Sequence, residues 1–138
     1  MTVQQPFILC VEDDVSSIQV LEVLLKEIMG FTQVVIFHNS ENFEEKLGEL
    51  PKTPDLIFLD IQVKPHNGVE MFQIIRASQR YENAIIVALT ASVMSNEIAK
   101  LRQIGFKNLI GKPINPITFG DHVIQILAGQ EIWDPSWA

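Results

Sequence analysis

The sequence predicts an α/β fold in which a parallel β-sheet is covered by helices on both faces. Five short apolar runs alternate with five segments of helical periodicity along the 138 residues. Strands two to four are almost continuously apolar rather than alternating, which is typical of strands buried on both faces. Short loops and right-handed crossovers between such units give a doubly wound sandwich around one core.

The five predicted strands are rich in aliphatic and β-branched residues. The first runs directly into the acids Glu12, Asp13 and Asp14. The third ends at Asp60, after which the chain turns polar at once. Charged residues therefore follow strands at the position where α/β sheets place their chemistry. The strands are predicted at residues 7–11, 33–37, 55–59, 84–89 and 108–110.

Helix one has an apolar face formed by Ile18, Leu21, Leu25 and Ile28, which are spaced by three or four residues. Asp14 precedes this segment and is a candidate N-cap, although a role in a site competes for it. All five helices are predicted from such periodicity and from the residues that flank them. They are predicted at residues 15–29, 41–50, 68–81, 95–104 and 116–128.

Polar residues and glycines mark the ends of these helices. Asn39 or Ser40 is predicted to cap helix two. Gly30, Gly105 and Gly129 follow helices one, four and five, where a residue without a Cβ readily adopts the left-handed conformation that ends a helix. The strand and helix patterns thus have mutually consistent boundaries.

Composition limits the classes of function. The net charge of −7 argues against a nucleic-acid surface, and no segment approaches the length of a membrane span. The N-terminus lacks the basic start and apolar segment of a signal peptide, so we expect a cytoplasmic protein without nucleic-acid or membrane partners. The single cysteine, Cys10, lies in an apolar strand and is expected to be a buried hydrophobe. We expect a tail at 1–6, one domain at 7–128 and a second tail at 129–138.

The ends of four strands carry a set of residues that suits metal-assisted phosphoryl chemistry. In a parallel sheet, Glu12, Asp13, Asp60, Thr90 and Lys112 reach the same edge. Carboxylates suit Mg²⁺, an aspartate can attack phosphorus, and a lysine offsets charge on phosphoryl oxygens. Each residue alone also has a structural explanation, as a helix cap, a turn or a solvated lysine. Their joint placement favours a site.

These residues resemble the receiver domain of two-component response regulators, over residues 7–128. The resemblance is to the stand-alone, single-domain type similar to chemotaxis regulators, and the start at Met1 also favours a stand-alone protein. It implies a flavodoxin-like fold with a five-stranded parallel sheet of order 2-1-3-4-5 and five helices. The motifs that carry it are Ile8-Leu9-Cys10-Val11-Glu12-Asp13-Asp14, Asp55-Leu56-Ile57-Phe58-Leu59-Asp60 with Asn67-Gly68, Val87-Ala88-Leu89-Thr90-Ala91, and Gly111-Lys112-Pro113-Ile114.

The resemblance implies a phospho-acceptor and a magnesium site. Asp60 matches the acceptor of the family. Glu12 and Asp13 match the acidic pair that binds Mg²⁺ together with Asp60, and the backbone carbonyl of Gln62 would be a further ligand. Asp14 follows that pair and is not expected to be a ligand.

The resemblance also assigns residues that respond to the phosphoryl group. Thr90 matches the switch hydroxyl, Ala91 the small residue that leaves the group accessible, and Lys112 the conserved lysine of the pattern. The Lys112–Pro113 bond is typically cis in such domains. Two residues, Gln62 and Ser92, flank the path of the hydrolytic water and are expected to tune the lifetime of the phosphoryl group.

Two positions depart from the family pattern. Leu109 stands where the family usually has an aromatic switch residue, three positions before Lys112. The ring rotation of that switch is therefore not available. The proline after the acceptor comes one position late, with Lys64 before Pro65, whereas Gly68 keeps its usual offset.

The implied partners are a histidine kinase or a histidine phosphotransfer protein as donor, and a downstream protein as target. A homodimer is expected to use either the face formed by helix four, strand five and helix five, or the tail with Trp133 and Trp137. Packing of Trp133 on its own domain is an equally good interpretation. Such a protein is a signalling phospho-acceptor with self-limited phosphorylation chemistry rather than an enzyme.

Other classes fit the sequence less well. One alternative is a pseudo-receiver that binds partners without being phosphorylated, which Leu109 favours and the intact acidic set opposes. Another is a receiver cut from a larger hybrid kinase. A phosphatase of the haloacid dehalogenase type would need an acid where Gln62 stands. A flavodoxin would need a phosphate-binding loop where Glu12 and Asp13 stand.

Overall fold

A parallel sheet of six strands forms the centre of the molecule. The computed structural model describes residues 5–91 and 94–135 of the chain. The order of the strands in the sheet is 2-1-3-4-5-6, and every adjacent pair is parallel. The strands are β1 (Phe7–Val11), β2 (Gln33–Phe37), β3 (Leu56–Asp60), β4 (Ile85–Thr90), β5 (Asn108–Gly111) and β6 (Trp133–Asp134).

Helices cover both faces of this sheet, as expected for a doubly wound α/β fold. The predicted order 2-1-3-4-5 is confirmed, but the predicted count of five strands is wrong because β6 adds to the edge of β5. No helix in the described ranges is both long and apolar enough to cross a membrane. The α-helices are α1 (Val15–Glu22), α2 (Phe43–Gly48), α3 (Gly68–Arg76), α4 (Ser95–Ile104) and α5 (Phe119–Leu127).

The sixth strand continues the strand–helix alternation by one more unit. Helix α5 serves as the crossover between β5 and β6, and Gly129, with φ of +97°, lets the chain turn back after α5. Leu109 then lies opposite Trp133, and Ile110 lies opposite Asp134. An apolar edge strand with unpaired backbone groups is thereby covered by the chain's own C-terminal segment.

The first helix changes its hydrogen-bonding pattern halfway along. As predicted, the Asp14 side chain caps it by accepting from the Ser17 N–H at 2.9 Å. After α1 the chain continues as a π-helix over Val23–Ile28. The wider turn shifts the register by one residue, so Leu24 is buried while Ile28 is 71% exposed. The prediction that Ile28 shares the buried face was therefore wrong.

Helix α2 is shorter than predicted and is not capped by Asn39 or Ser40. Asn39 Oδ1 instead accepts from the Glu41 N–H at 2.9 Å, forming a turn before the helix. The Ser40 hydroxyl, which is fully buried, bonds both the N–H and the carbonyl of His66 at 2.6 Å. These two bonds join the loop after β2 to the loop after β3, next to the candidate site.

Two other predicted boundaries shift for local reasons. Helix α3 begins at Gly68 behind a capping box between Asn67 and Glu70 but ends at Arg76, and a 3₁₀ turn covers Gln79–Tyr81. Helix α5 begins at Phe119 rather than at residue 116. The Asn115 side chain accepts from the Ile117 N–H at 2.9 Å and forms a turn there.

The core lies in two layers, one on each face of the sheet. Along β1, Leu9 and Val11 point into the layer under α2, α3 and α4, whereas Ile8 and Cys10 point into the layer under α1 and α5. All four side chains are fully buried, as the continuous apolar pattern predicts. Cys10 is therefore a buried residue, as predicted, and burial raises the pKa of its thiol.

Gly68 is required where α3 approaches the end of β3. A Cβ at this position would lie 2.8 Å from Ile61 Cα and 3.0 Å from the Asp60 carbonyl oxygen. Both neighbours are backbone atoms, so the main chain beside Asp60 would have to move. Glycine at this position therefore allows α3 to lie close to the loop that follows β3.

We expect Gly68→Ala to lower the free energy of unfolding by about 1–3 kcal/mol because the added methyl group overpacks the backbone. Urea unfolding followed by circular dichroism measures this loss. Gly48→Ala is the matched control, since a Cβ at Gly48 has no atom within 4 Å. Equal stability of the Gly68→Ala and Gly48→Ala variants would contradict the steric argument.

Candidate functional site

The carboxyl ends of β1, β3, β4 and β5 converge on one acidic edge of the sheet. The register places Asp60 opposite Leu89 and Thr90 opposite Gly111. Carboxylate oxygens of Glu12, Asp13 and Asp60 all lie within 4.8 Å of one another. The predicted convergence of residues distant in sequence is therefore present in the structure.

Glu12 is the deepest member of this group and is completely buried. Its Oε2 accepts from the backbone N–H groups of Asp13 and Asp14, at 3.0 and 3.1 Å. Its Oε1 accepts from the Lys112 ammonium at 2.9 Å. Each oxygen of this buried carboxylate thus has a partner, as a charged group in the interior requires.

Lys112 connects the carboxylates of two different strands. Its Nζ lies 2.9 Å from Glu12 Oε1 and 3.4 Å from Asp60 Oδ1. The Lys112 N–H donates to the Thr90 carbonyl at 2.8 Å, and the Lys112–Pro113 bond is cis, as predicted. The backbone of β5 therefore directs the lysine into the acidic edge.

Burial and mutual contact shift the pKa values of both Glu12 and Lys112. Burial, followed by the nearby Asp60 carboxyl, raises the pKa of Glu12 to about 7 even though Lys112 acts in the opposite direction. Burial alone would lower the pKa of Lys112, but its hydrogen bond to Glu12 and the charge of Asp60 leave that pKa raised. Lys112 is therefore cationic at neutral pH, and Glu12 is poised between its two forms.

Asp60 lies at the end of β3 with only 2% of its surface exposed. Its Oδ1 accepts from the Gln62 N–H at 3.1 Å, which fixes the carboxylate on the turn that follows. The Gly68 N–H donates to the Ile61 carbonyl at 3.0 Å and closes this turn against α3. The loop also contains a second cis bond, Lys64–Pro65, at the position where the sequence departs from the family pattern.

The three carboxylates have the chemistry that a magnesium ion requires. Glu12 and Asp60 are buried, whereas Asp13 is exposed, so the group forms a shallow site open to water on one side. Hard oxygen donors on one side and water on the other suit Mg²⁺, which keeps several of its waters. Glu12, Asp13 and Asp60 would hold the ion, and the Gln62 carbonyl remains the predicted further ligand.

The remaining predicted residues are placed around this edge. Thr90 is 2% exposed and ends β4, while Ala91 after it is exposed. Gln62 is exposed on the turn beyond Asp60. Asp14 caps α1, and hydrogen bonds from Ser17 lower its pKa. The prediction for Ser92 lies outside the described residues.

The face beside β5 carries the strand β6, which the sequence analysis did not predict. Leu109, at the usual aromatic position, is fully buried, and Trp133 of β6 lies opposite it. The Arg102 guanidinium of α4 lies 4.1 Å from the centre of the Trp133 ring. Trp133 thus packs on its own domain, which was one of the two interpretations. Trp137 lies outside the described residues.

A family comparison agrees with this geometry. The model of the response regulator receiver domain matches residues 8–124. This chain belongs to that family. It is therefore a receiver domain of the two-component type, with the acidic edge at the position expected from its motifs.

Solved receiver domains share the fold of this chain. The signal receiver domain of a DNA-binding response regulator from Colwellia psychrerythraea superimposes with a TM-score of 0.77 at 23% identity, covering 91% of this chain and all of that one. The chemotaxis response regulator CheY4 of Vibrio cholerae also gives a TM-score of 0.77, at 20% identity over 89% of this chain and 99% of that one.

The curated relatives are longer proteins of two kinds. Stress response regulator protein 1 of Candida albicans is 24% identical over 107 residues, which are 78% of this chain and 37% of that protein. The sensor histidine kinase GacS of Pseudomonas protegens is 32% identical over 114 residues, which are 80% of this chain and 12% of that kinase. The chain therefore spans well under half of either relative.

We expect magnesium affinity to depend on pH through Glu12. Metal binding needs the ionised carboxylate, and with a pKa of about 7 roughly one in ten Glu12 side chains is ionised at pH 6 and nine in ten at pH 8. Calorimetric titration should therefore show about tenfold weaker binding at pH 6 than at pH 8.

Two variants test whether the pH dependence of magnesium affinity comes from Glu12 or from a neighbouring carboxylate. Glu12→Gln should lose most of this pH dependence, whereas Asp14→Asn should keep it because asparagine also caps α1. The same affinity at pH 6 and pH 8 in the wild-type chain would rule out the role given to Glu12.

Proposed function

We propose that this receiver accepts a phosphoryl group on Asp60 from the phosphohistidine of a histidine kinase or a histidine phosphotransfer protein. The observation that carries the proposal is the position of the Asp60 carboxylate at a strand end, 3.4 Å from the Lys112 ammonium and within the acidic group. A carboxylate so placed is fixed by its neighbours and has an adjacent cation to offset new negative charge.

The transfer step is a displacement at phosphorus. An oxygen of the Asp60 carboxylate forms a bond to phosphorus while the phosphorus–nitrogen bond of the donor breaks. The electron pair of that bond returns to the imidazole nitrogen, which takes up a proton. The product is an acyl phosphate on Asp60 and a neutral donor histidine.

Lys112 and Thr90 respond to the charge that this step adds. The lysine already bridges Glu12 and Asp60, so a phosphoryl group on Asp60 competes for its ammonium protons. Thr90, at the end of the neighbouring strand, supplies a hydroxyl on the same edge. Charge-assisted hydrogen bonds from both groups would shift the ends of β4 and β5 toward the phosphoryl oxygens.

Magnesium, when bound by Glu12, Asp13 and Asp60, supplies a positive charge that neutralises the phosphoryl oxygens. The chain's own residues then complete the environment. Lys112 offsets charge from one side, while the Gln62 N–H holds Asp60 Oδ1 in place at 3.1 Å. Hydrolysis by water reverses the modification, so the chain works as a timed signal and not as a turnover enzyme.

The output of this receiver is proposed to be contact with a downstream protein. Its acidic net charge of −7 opposes direct binding to nucleic acid. We place the protein in the cytoplasm, where histidine kinases draw phosphoryl groups from ATP. A second copy of the chain is a further candidate partner, through the face of α4, β5 and α5.

A receiver within a larger hybrid kinase is the second candidate. The similarity to GacS and to hybrid signal transduction histidine kinase D of Dictyostelium discoideum, which is 28% identical over 89% of this chain, favours it. In that setting the donor histidine would lie in the same polypeptide. The chemistry proposed at Asp60 would be unchanged.

The pseudo-receiver alternative gains no support from the site, since each predicted side chain is present at the acidic edge.

We expect incubation with a small acyl phosphate donor and Mg²⁺ to add one phosphoryl group to the chain. Intact-mass spectrometry should show the adduct in the wild-type protein and at most a trace without Mg²⁺. Asp60→Asn should remove the adduct because the amide is not a nucleophile toward phosphorus.

Asp55→Asn is the matched control, because Asp55 is an exposed carboxylate at the other end of the same strand, where it accepts from the Phe7 N–H at 2.8 Å. This variant should be labelled like the wild type. A folded Asp60→Asn protein that is labelled normally would refute the assignment, and an unlabelled wild type that binds Mg²⁺ would favour the pseudo-receiver.

A further inference from the structure

The C-terminal segment of the chain lies in a groove between α4, β5 and α5. We call this the tail groove, and its defining residues are Arg102, Asn108, Leu109 and His122. They come from three elements that are separate in sequence but adjacent at the β5 edge of the sheet. The occupant is the short strand β6, with Ile132 just before it.

Backbone contacts hold the occupant in an extended conformation. The Leu109 N–H donates to the Ile132 carbonyl at 2.8 Å. The Ile132 N–H donates to the side-chain Oδ1 of Asn108 at 2.8 Å, and Asn108 is only 4% exposed. These contacts use main-chain groups of the occupant, so they would accept any extended segment in this register.

Side-chain contacts select the sequence of the occupant. Trp133 packs against the core layer that contains Leu109, and the Arg102 guanidinium lies 4.1 Å above its ring. Asp134 Oδ2 lies 3.4 Å from Nδ1 of His122. This nitrogen is buried and has no hydrogen-bond partner among the described residues. The groove therefore fits an apolar residue, an aromatic residue and an acid in succession.

The occupant is held by a short interface. Strand β6 has two residues, fewer than most strands in globular proteins, and both are only half-buried. Pro135 follows and lacks the N–H that would extend the pairing. A segment bound by so few contacts can be exchanged for a similar segment without unfolding the sheet.

We propose that the tail groove is a docking site for an extended segment of a partner protein with an apolar–aromatic–acidic sequence, and that β6 occupies it in cis until such a segment displaces it. The proposal goes beyond the function proposed for Asp60, because its contacts exist in the unphosphorylated chain. The tail groove and the acidic edge are also adjacent in the chain, since Leu109 of the groove lies three residues before Lys112 of the edge.

Cis occupancy sets the affinity that an incoming segment shows. A tethered segment acts at an effective concentration on the order of millimolar, so a free segment must compete with it. The apparent dissociation constant is the intrinsic one divided by the fraction of chains with an open groove. Weakening the cis occupant should therefore tighten binding of the same sequence in trans.

The test uses a fluorescent peptide with the sequence of residues 129–135 and the full-length chain. Fluorescence anisotropy should show saturable binding to the Trp133→Ala chain, at least about tenfold tighter than to the wild type. Ile28→Ala is the matched control, because Ile28 is an exposed apolar residue far along the chain from the groove. It should bind the peptide as weakly as the wild type does.

Changes in the groove and in the peptide test the specificity. Adding Arg102→Gln to the Trp133→Ala chain should weaken binding at least about fivefold, as the loss of a cation–π contact of about 1 kcal/mol implies. A peptide with alanine in place of the tryptophan should bind no chain. Equal binding of the intact peptide to the Trp133→Ala and wild-type chains, or no binding to a folded Trp133→Ala chain, would overturn the proposal.

A second measurement applies if circular dichroism shows that Trp133→Ala does not fold. Hydrogen exchange of the wild-type chain is then followed with excess peptide. Displacement predicts faster exchange in the peptide fragment that contains residues 131–135, while the Leu109 amide stays protected by the incoming strand. Unchanged exchange of residues 131–135 at saturating peptide would overturn the proposal.

Discussion

The structure depends on one shared cation at the carboxyl edge of the sheet. The Lys112 ammonium contacts Glu12 and Asp60, two carboxylates that are 0% and 2% exposed. Two buried acids so close together would repel each other without a cation between them. The lysine therefore joins the carboxyl ends of β1, β3 and β5 at this edge.

Several local features serve this arrangement. The hydrogen bond from the Lys112 N–H to the Thr90 carbonyl holds the backbone of the lysine beside the end of β4. The N–H groups of Asp13 and Asp14 hold Glu12 from the other side. The same contacts lie at the ends of β1, β4 and β5, so a change of charge at the site acts directly on the sheet.

Sequence reasoning found the site because strand direction in a parallel sheet fixes where charged ends gather. Asp60, Glu12 and Lys112 each follow an apolar run, and no knowledge of side-chain contacts is needed to place them at one edge. The exposed Ile28 could not be predicted, because a change from α- to π-helical bonding leaves no periodic signature in so short a segment. The prediction of Ser40 as a helix cap was wrong because its hydroxyl hydrogen-bonds the backbone of His66, 26 positions away, and not the N-terminus of α2.

The sixth strand was missed for a related reason. Ile132 and Trp133 form an apolar, β-prone pair before Pro135, which is a signal too short to distinguish from a tail. The conformation of β6 is set by its pairing with β5 and by contacts with Arg102 and His122, which come from other elements. The segment matters because it covers the face on which the aromatic switch of the family is absent.

The most direct test of the account is to identify the residue that carries the phosphoryl group. The chain is phosphorylated with a small acyl phosphate in Mg²⁺, reduced with borohydride, and mapped by peptide mass spectrometry. Reduction of an aspartyl phosphate gives homoserine, so the account predicts homoserine at position 60 and aspartate at Asp13 and Asp55. Homoserine at either of those positions, with Asp60 intact, would contradict it.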